Sequence, residues 1–421
     1  LNHGPLRVAA DQRHLEHADG TPFFWLADTA WNLWCKGNPH EWDEYLSVRK
    51  AQGFTAIQFV AGWWRGSTQP IHGRPFDLDD GSLVYDEAAW ESLDLLFEKI
   101  QARGLVAAPI MLWTLTDIDP GQVLSEAQCI EVARRQRERW DSPNVVWLLG
   151  GDGDYTSPEV EARWKRIGRA VFADAPEAMA TLHPCGVTWV GDAFADEPWY
   201  RIATIQSGHG SSEHDLRFLV DGEYAGAWTR LRMPFLNLEP NYEDARSYHE
   251  RKHLTAYHVR RASYWSLLLA PPAGVTYGIG SIWMWATAEG EIAENHDESW
   301  SGRPWQEELH TRGAESMTVL AEVFAKLPWT DLRPAPELLV RQPGTRDIES
   351  WQAVAATADR GCIVIYAPNG GPIDFAQQEI PQGKTLHSVD PVSGMWTEVG
   401  SPEELVGVPA SPGNDRLFVV M

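Results

Sequence analysis

Two carboxylates stand directly after short apolar runs, a placement from which a pair of acids can do acid–base chemistry. Asp152 follows the run 145–150, and Glu239 closes the run 235–239 just before Pro240. A glutamate at the end of a buried strand is destabilising unless it is paired or functional. Two acids that flank one glycosidic bond can hydrolyse it. The pair therefore predicts glycoside hydrolysis, and the two glycines before Asp152 are expected to kink the backbone so that its carboxylate enters the site.

The distance between the two carboxylates decides the stereochemistry. At about 5 to 5.5 Å the reaction retains the anomeric configuration through a covalent glycosyl intermediate, whereas a wider gap implies inversion. In the retaining case, Glu239 is expected to be the ionised nucleophile. Asp152 is expected to be protonated at rest and to act first as acid and then as base. Asp154, in the same turn, is expected to be a loop or capping residue.

Other polar and aromatic residues near the ends of apolar runs are candidates for binding the sugar. Asp28 either accepts hydrogen bonds from two sugar hydroxyls or orients its own loop. His183 and His209 either bind hydroxyls or are hydrogen-bonded structural residues. Glu243 is either a further acid of the site or a cap for a helix that starts near Ala245. The remaining candidates for substrate binding are aromatic, because flat rings pack against sugar C–H groups: Trp31, Trp63, Trp64, Trp113, Tyr242 and Trp285.

Other chemistries have less support in the sequence. The chain has no Gly-x-Ser-x-Gly and no complete Gly-x-Gly-x-x-Gly, so acyl transfer and dinucleotide binding are not indicated. One His-Glu-x-x-His is present, at 249–253, but no tight cluster of histidines and cysteines accompanies it, so a zinc site is the weaker expectation. A reaction without metal or cofactor is expected. Buried thiols rather than disulfides are expected for the four well-separated cysteines, Cys35, Cys129, Cys185 and Cys362.

The elements that must position these residues alternate between strands and helices. Eight short apolar runs, each followed by a helix or by room for one, predict a (β/α)₈ barrel of the α/β class. The active site of such a barrel lies at the C-terminal ends of its strands, where the candidate residues stand. The expected strands are 23–28, 54–64, 105–113, 145–150, 178–183, 203–207, 235–239 and 274–285.

Three further expectations concern the helices and the ends of the chain. A hairpin over 6–17 is expected before the barrel. After Pro328, short strands separated by turn residues predict a small antiparallel β-sandwich. The predicted domains are thus 1–328, the hairpin and barrel, and 329–421, the sandwich. The expected helices include 41–52, 125–140, 158–172, 216–230, 245–269 and 307–327.

Composition limits the possible partners and locations. The net charge of −24 disfavours nucleic acid, which needs a clustered basic surface. No apolar run approaches the ~20 residues that cross a bilayer. The chain opens at Leu1 without a basic and apolar leader, so either the start is trimmed or a signal peptide has been removed. Cytoplasmic, periplasmic and secreted locations stay open, as does the oligomeric state.

The motifs, taken in order, resemble the apiosidase-like glycoside hydrolases. That family has a barrel followed by a C-terminal sandwich labelled a collagen-binding domain. The resemblance implies that Asp152 is the acid/base, that Glu239 is the nucleophile, and that apiose is released from a plant-derived glycan such as a rhamnogalacturonan side chain. The motifs that carry it are 23–31 (FFWLADTAW), 52–58 (QGFTAIQ), 147–152 (WLLGGD), 236–243 (LNLEPNYE) and 274–278 (GVTYG).

The leading hypothesis is a retaining, exo-acting glycosidase that releases a terminal pentofuranosyl sugar, with apiose preferred. A carbohydrate is its expected partner. An endo-acting glycanase of the same barrel type is one alternative. A non-catalytic carbohydrate-binding protein that uses the tryptophans, 22 in the whole chain, is the other.

Overall fold

The structure is a computed structural model that describes residues 3–142, 144–376, 380–400, 403–406, 411 and 413–421. Its centre is a parallel eight-stranded sheet that curls into a barrel, which confirms the predicted (β/α)₈ architecture. The barrel strands, first to eighth in chain order, are Trp25–Thr29, Ala56–Val60, Val106–Trp113, Val146–Gly153, Met179–Pro184, Ala203–Ile205, Phe235–Asn237 and Gly274–Tyr277.

The barrel closes between the fifth and sixth strands through hydrogen bonds from both backbone and side-chain donors. The Arg201 N–H donates to the Ala180 carbonyl at 2.9 Å. The Thr204 hydroxyl donates to the Leu182 carbonyl at 2.6 Å. The second bond fixes the peptide that precedes His183, a candidate site residue.

Helices follow the strands and cover the outside of the barrel. The predicted helices 41–52, 125–140 and 158–172 are confirmed to within two residues, and the side chains of Asn38 and Ser125 cap the first two of them. Among the described residues, no helix is both long enough and apolar enough to cross a membrane. The barrel helices are Pro39–Ala51, Glu87–Ala102, Glu126–Arg139, Pro158–Val171, Glu213–Val220, Glu223–Ala227, Ala256–Leu268 and Arg312–Ala325.

The predicted helix 245–269 is wrong in its first half. Residues 245–255 form a loop that turns back on itself, because the Ser247 N–H donates to the Lys252 carbonyl at 2.8 Å. The helix begins only at Ala256, after the N-cap Thr255. The loop therefore lies beyond the seventh strand, beside the candidate site.

Two other helix predictions needed smaller corrections. The predicted helix 216–230 is two short helices that meet at Gly222. The predicted helix 307–327 begins at Arg312, where the Thr311 hydroxyl accepts the Ala314 N–H at 3.3 Å. Among the described residues, four short helices stand in the loops of the barrel: Leu33–Lys36, Pro120–Val123, Gly191–Phe194 and Gly280–Trp283. A fifth, Glu403–Val406, lies in the C-terminal domain.

One small antiparallel sheet precedes the barrel, and two others lie in its loops. The predicted N-terminal hairpin pairs Leu6–Val8 with Leu15–His17, and Pro22–Phe23 adds a third strand. A second hairpin, Phe76–Asp79 with Ser82–Tyr85, follows the second barrel strand. A short two-stranded ribbon, Glu291–Ile292 with Ser301–Gly302, lies in the long loop after the eighth strand.

The predicted antiparallel β domain after Pro328 is confirmed as a six-stranded sheet. One face packs on the barrel helix Ala256–Leu268, where the Tyr366 and Tyr264 rings stack at 4.9 Å. The apolar run 338–340 forms the end of a 3₁₀ turn, followed by a single bridge from Leu339 to Phe375. The boundary between 328 and 329 stays a prediction. In sheet order, the strands are Arg333–Pro334, Ala353–Ala356, Ile363–Ala367, Arg416–Val420, Leu386–Val389 and Trp396–Glu398.

Candidate active site

A pocket of about 210 Å³ opens at the C-terminal ends of the barrel strands. Aromatic side chains form much of its wall, and the two predicted catalytic acids both face it. The lining residues are Trp31, Trp64, Arg65, Trp113, Leu115, Asp152, Gln206, His209, Glu239, Tyr242, Tyr248, Trp283, His296 and Trp300.

Glu239 is held by hydrogen bonds on one of its two oxygens. Gln206 Nε2 and His209 Nε2 lie 2.7 and 2.8 Å from its Oε1. His183 Nε2 lies 3.4 Å from its Oε2. Burial alone would raise the pKa of Glu239, but the two histidines outweigh burial and hold it at about 2. Glu239 is therefore an anion with one oxygen fixed and the other available.

The tautomer of His209 follows from its neighbours. The Tyr242 backbone N–H donates to His209 Nδ1 at 3.2 Å, so the ring proton belongs on Nε2, which faces Glu239. The Tyr242 ring also lies 4.2 Å from the imidazole, centroid to centroid. His209 is thus a fixed donor to the Glu239 carboxylate, which is a different role from the predicted contact with sugar hydroxyls.

Asp152 has the opposite electrostatic setting. Burial, followed by the negative charge of Glu239, raises its pKa to about 7, although His183 opposes the rise. Within the described part of the chain, its Oδ1 has no hydrogen-bond partner. A carboxyl group in this state keeps its proton below neutral pH and can donate it to a leaving group.

The two glycines before Asp152 provide space rather than the predicted kink. A Cβ on Gly151 would lie 2.6 Å from Ile110 Cγ2, and one on Gly150 would lie 2.4 Å from the Tyr155 hydroxyl. The left-handed conformation belongs to Asp152 itself, with φ of 55°. Backbone strain of this kind is common at functional sites.

His183 lies next to Glu239 but is not among the residues that line the pocket. It is fully buried, and its ring stands edge-on to Trp31 at 5.3 Å and tilted to Trp113 at 6.4 Å. Neither ring nitrogen has a hydrogen-bond partner among the described residues. A buried imidazole without partners calls for an explanation beyond packing.

Asp28 does not reach the pocket. Alternate residues of a strand face opposite sides, and Asp28 points outward to the helix Pro39–Ala51. There its Oδ2 accepts hydrogen bonds from Tyr45 at 2.6 Å and from Arg49 Nε at 2.5 Å. Arg49 Nη1 in turn donates to the Leu309 carbonyl at 2.9 Å. The prediction of a sugar contact is corrected, because Asp28 forms a fully buried ion pair beneath the site.

Trp63 and Trp285 also lie outside the pocket, in each case next to a tryptophan that lines it. Trp63 donates to the Phe76 carbonyl at 3.0 Å, while Trp64 faces the site. Trp285 stacks on Trp305 at 4.3 Å, while Trp283 faces the site. In both cases the chain turns just after a strand. The sequence does not show which of two nearby tryptophans points into the pocket after such a turn.

Glu243 stabilises the start of a helix, although not the one predicted. It accepts hydrogen bonds from the Gly313 backbone N–H at 2.9 Å and from the hydroxyls of Thr311 at 2.6 Å and Tyr277 at 2.7 Å. These donors surround the N-terminus of Arg312–Ala325, where a carboxylate is favoured. Glu243 is therefore removed from the candidate catalytic residues.

Several lining residues were missed by the sequence reasoning. Gln206 stands one residue beyond the sixth strand, but it lay inside the predicted strand 203–207, so the strand-end rule did not select it. The others project from long loops, for which the sequence gives no register. These loop residues are Arg65, Leu115, Tyr248, His296 and Trp300.

Comparisons with known proteins agree with this geometry. The family model described as apiosidase-like, catalytic domain, matches residues 9–331. A glycoside hydrolase family 5 structure from Bacteroides vulgatus is 22% identical, with a TM-score of 0.83 over 100% of this chain and 93% of the other. A structure named glycoside hydrolase is 23% identical, with a TM-score of 0.82 over 100% and 97%.

A more distant solved structure shares the fold over most of this chain. The endo-1,4-beta-mannanase from Rhizomucor miehei is 12% identical, with a TM-score of 0.54 over 77% of this chain and 100% of the other. Among curated protein sequences, none matches the chain. At these identities the solved structures establish the fold, and the family model establishes membership. The chain belongs to the apiosidase-like family, whose catalytic domain it carries over residues 9–331, and it is a glycosidase.

Proposed function

We propose that this glycosidase is retaining and exo-acting, and that it releases a terminal pentofuranosyl sugar, preferably apiose, from a plant-derived glycan or glycoside. The observation that carries the roles of the two acids is the contrast between two carboxyl groups in one pocket. Burial and the charge of Glu239 raise the pKa of Asp152 to about 7, whereas the neighbouring histidines hold that of Glu239 at about 2. At mildly acidic pH Glu239 is an anion and Asp152 an acid, the states that a nucleophile and an acid/base need. An inverting pair has the same two states, so the configuration of the product decides between the mechanisms.

The proposed reaction has two steps. Glu239 Oε2 attacks the anomeric carbon while Asp152 gives its proton to the departing glycosidic oxygen, which leaves as an alcohol. The ester that forms has no charge on Glu239, so the pKa of Asp152 falls and its carboxylate becomes a base. Asp152 then takes a proton from water, the hydroxide oxygen bonds to the anomeric carbon, and Glu239 leaves as a carboxylate.

The walls of the pocket support a sugar as ligand. Polar atoms without partners in the described ranges include Gln206 Oε1, the Tyr242 hydroxyl and the indole N–H groups of Trp113 and Trp283. Buried polar atoms are normally satisfied, and a polyhydroxylated ligand can satisfy several at once. The aromatic faces around them suit the C–H groups of a sugar ring.

The stereochemistry is tested by proton NMR of the product released from 4-nitrophenyl apiofuranoside. We expect the first sugar signal to have the anomeric configuration of the substrate, before mutarotation produces the other form. A first signal of opposite configuration would contradict the double displacement. A parallel screen of plant glycans should yield free monosaccharide, whereas oligosaccharide products would indicate an endo-acting enzyme.

The activity should depend on pH through Asp152. Because Asp152 must be protonated when a poor leaving group departs, kcat/KM on an alkyl apiofuranoside should be level at mildly acidic pH and should fall about tenfold per pH unit above the Asp152 pKa of about 7. Glu239→Gln removes a negative charge, so the pKa of Asp152 should move down. Carbon-13 NMR titration of the Asp152 carboxyl group measures this shift, and an unchanged pKa would show that the two acids do not interact.

A further inference from the structure

The environment of Glu239 Oε2 differs from that of Oε1. Both hydrogen bonds to the carboxylate, from Gln206 and His209, end on Oε1. Within the described residues, Oε2 has no hydrogen-bond partner. The proposed nucleophilic atom is therefore Oε2, since the oxygen with free lone pairs can bond to carbon.

His183 is the imidazole next to that oxygen. Its Nε2 is 3.4 Å from Oε2, which is beyond a normal hydrogen bond. Because Oε2 belongs to a carboxylate, the nitrogen that faces it carries a proton. Neither nitrogen of the ring has another partner in the part of the chain that is described. His183 thus holds an N–H beside the reacting atom, without a satisfied acceptor.

The substrate brings an acceptor to this position. When Oε2 bonds to the anomeric carbon, the hydroxyl on the adjacent ring carbon lies near Oε2. The His183 N–H, which lies 3.4 Å from the same oxygen and has no other partner among the described residues, is a donor available to it. The rings of Trp31 and Trp113 hold the imidazole on two sides. A hydrogen bond to this hydroxyl strengthens in the oxocarbenium-like transition state.

We propose that His183 is a catalytic residue whose Nε2–H binds the C2 hydroxyl of the sugar in the transition state. This inference rests on the proposed function. It assigns one named hydroxyl to one named side chain, and it predicts that the enzyme discriminates strongly against sugars that lack this group.

The test is a cycle of two substrates and three proteins. The substrates are 4-nitrophenyl apiofuranoside and its 2-deoxy counterpart, and the proteins are the full chain, His183→Leu and His183→Gln. We expect His183→Leu to lower kcat/KM about 10²-fold on the parent substrate and less than about threefold on the 2-deoxy substrate. His183→Gln keeps an N–H near the position of Nε2, so it should recover part of the parent rate.

Intrinsic differences in the reactivity of the two glycosides cancel in this comparison, because each variant is measured against the full chain on the same substrate. Equal losses on both substrates would overturn the inference, since a structural role for His183 affects both alike. Tyr242→Phe serves as the matched comparison, because its hydroxyl also lacks a partner among the described atoms. If the selective loss appears in Tyr242→Phe and not in His183→Leu, the inference is also overturned.

A binding measurement separates this inference from the proposed function. Calorimetry with a pentofuranose iminosugar, with and without its 2-hydroxyl, needs no turnover. If no glycoside is hydrolysed but His183→Leu removes the preference for the 2-hydroxyl, the function and the catalytic role of His183 fail, while its contact with the hydroxyl stands. If hydrolysis is observed without that preference, the function stands and the inference fails. The absence of both binding and hydrolysis would overturn the two together.

Discussion

Glu239→Gln is expected to lower kcat/KM on 4-nitrophenyl apiofuranoside by on the order of 10⁵-fold, because loss of a nucleophile removes the covalent route. Asp152→Asn should cost less, about 10² to 10⁴-fold, because an activated phenol leaves with little need for a proton. Initial rates measured with this substrate give both values. Full activity in either variant would contradict the assigned roles.

Two neighbouring acids provide matched controls for these variants. Glu243→Gln removes an acid four residues from the nucleophile, but Glu243 binds the N-terminus of a helix. Asp154→Asn removes an exposed carboxylate that accepts the Thr156 N–H at 3.0 Å. Both variants should keep kcat/KM close to that of the unchanged chain. A loss as large as that of Glu239→Gln would mean that the catalytic acid has been misassigned.

Azide separates the roles of the two acids. In Glu239→Gly, azide can enter the vacated space and displace the phenol directly, so the glycosyl azide should have inverted configuration. In Asp152→Ala, the glycosyl ester still forms and azide attacks it, so the product should have retained configuration. The opposite assignment of products would exchange the roles of Asp152 and Glu239.

The second large effect concerns stability rather than catalysis. Asp28→Ala leaves the guanidinium of Arg49 buried and without its carboxylate; both side chains are 0% exposed. Removal of one partner of a buried ion pair typically costs about 3 to 5 kcal/mol of unfolding free energy. Urea unfolding followed by fluorescence measures the loss. The molecules that remain folded should keep their KM, because Asp28 does not touch the pocket.

The double variant Asp28→Ala with Arg49→Met is the control for this prediction. It removes both charges and leaves an apolar side chain in the space of the arginine, so part of the lost stability should return. If Asp28→Asn has normal stability but a raised KM, Asp28 binds the sugar directly and the ion pair is not its main role.

The barrel was accessible from the sequence because its strands and helices are locally encoded. Local signals mark these elements without reference to distant residues. They are short apolar runs, capping residues such as Asn38 and Ser125, and Gly53, which follows the end of the helix Pro39–Ala51. Asp152 and Glu239 could be selected because barrel active sites lie at strand ends. That rule depends on topology alone, so it holds once the strands are correctly placed.

The site predictions that failed concern the direction in which individual side chains point. Asp28 and Glu239 both end apolar runs, yet one faces the helices and the other faces the pocket. Trp63 and Trp64 differ by one position and point to different places, because the chain turns after its strand. Loop residues such as His296 reach the site through long-range packing, which no local pattern encodes.

The link from Arg49 to the Leu309 carbonyl has a consequence for folding during synthesis. These two residues are separated by 260 positions in the chain, so the contact forms only after most of the barrel has left the ribosome. Until then, Arg49 on the helix Pro39–Ala51 lacks part of the structure that later buries its guanidinium group. Contacts between such distant residues slow folding and favour late, cooperative closure. The helix Pro39–Ala51 and the segment around Leu309 are therefore expected to gain protection together.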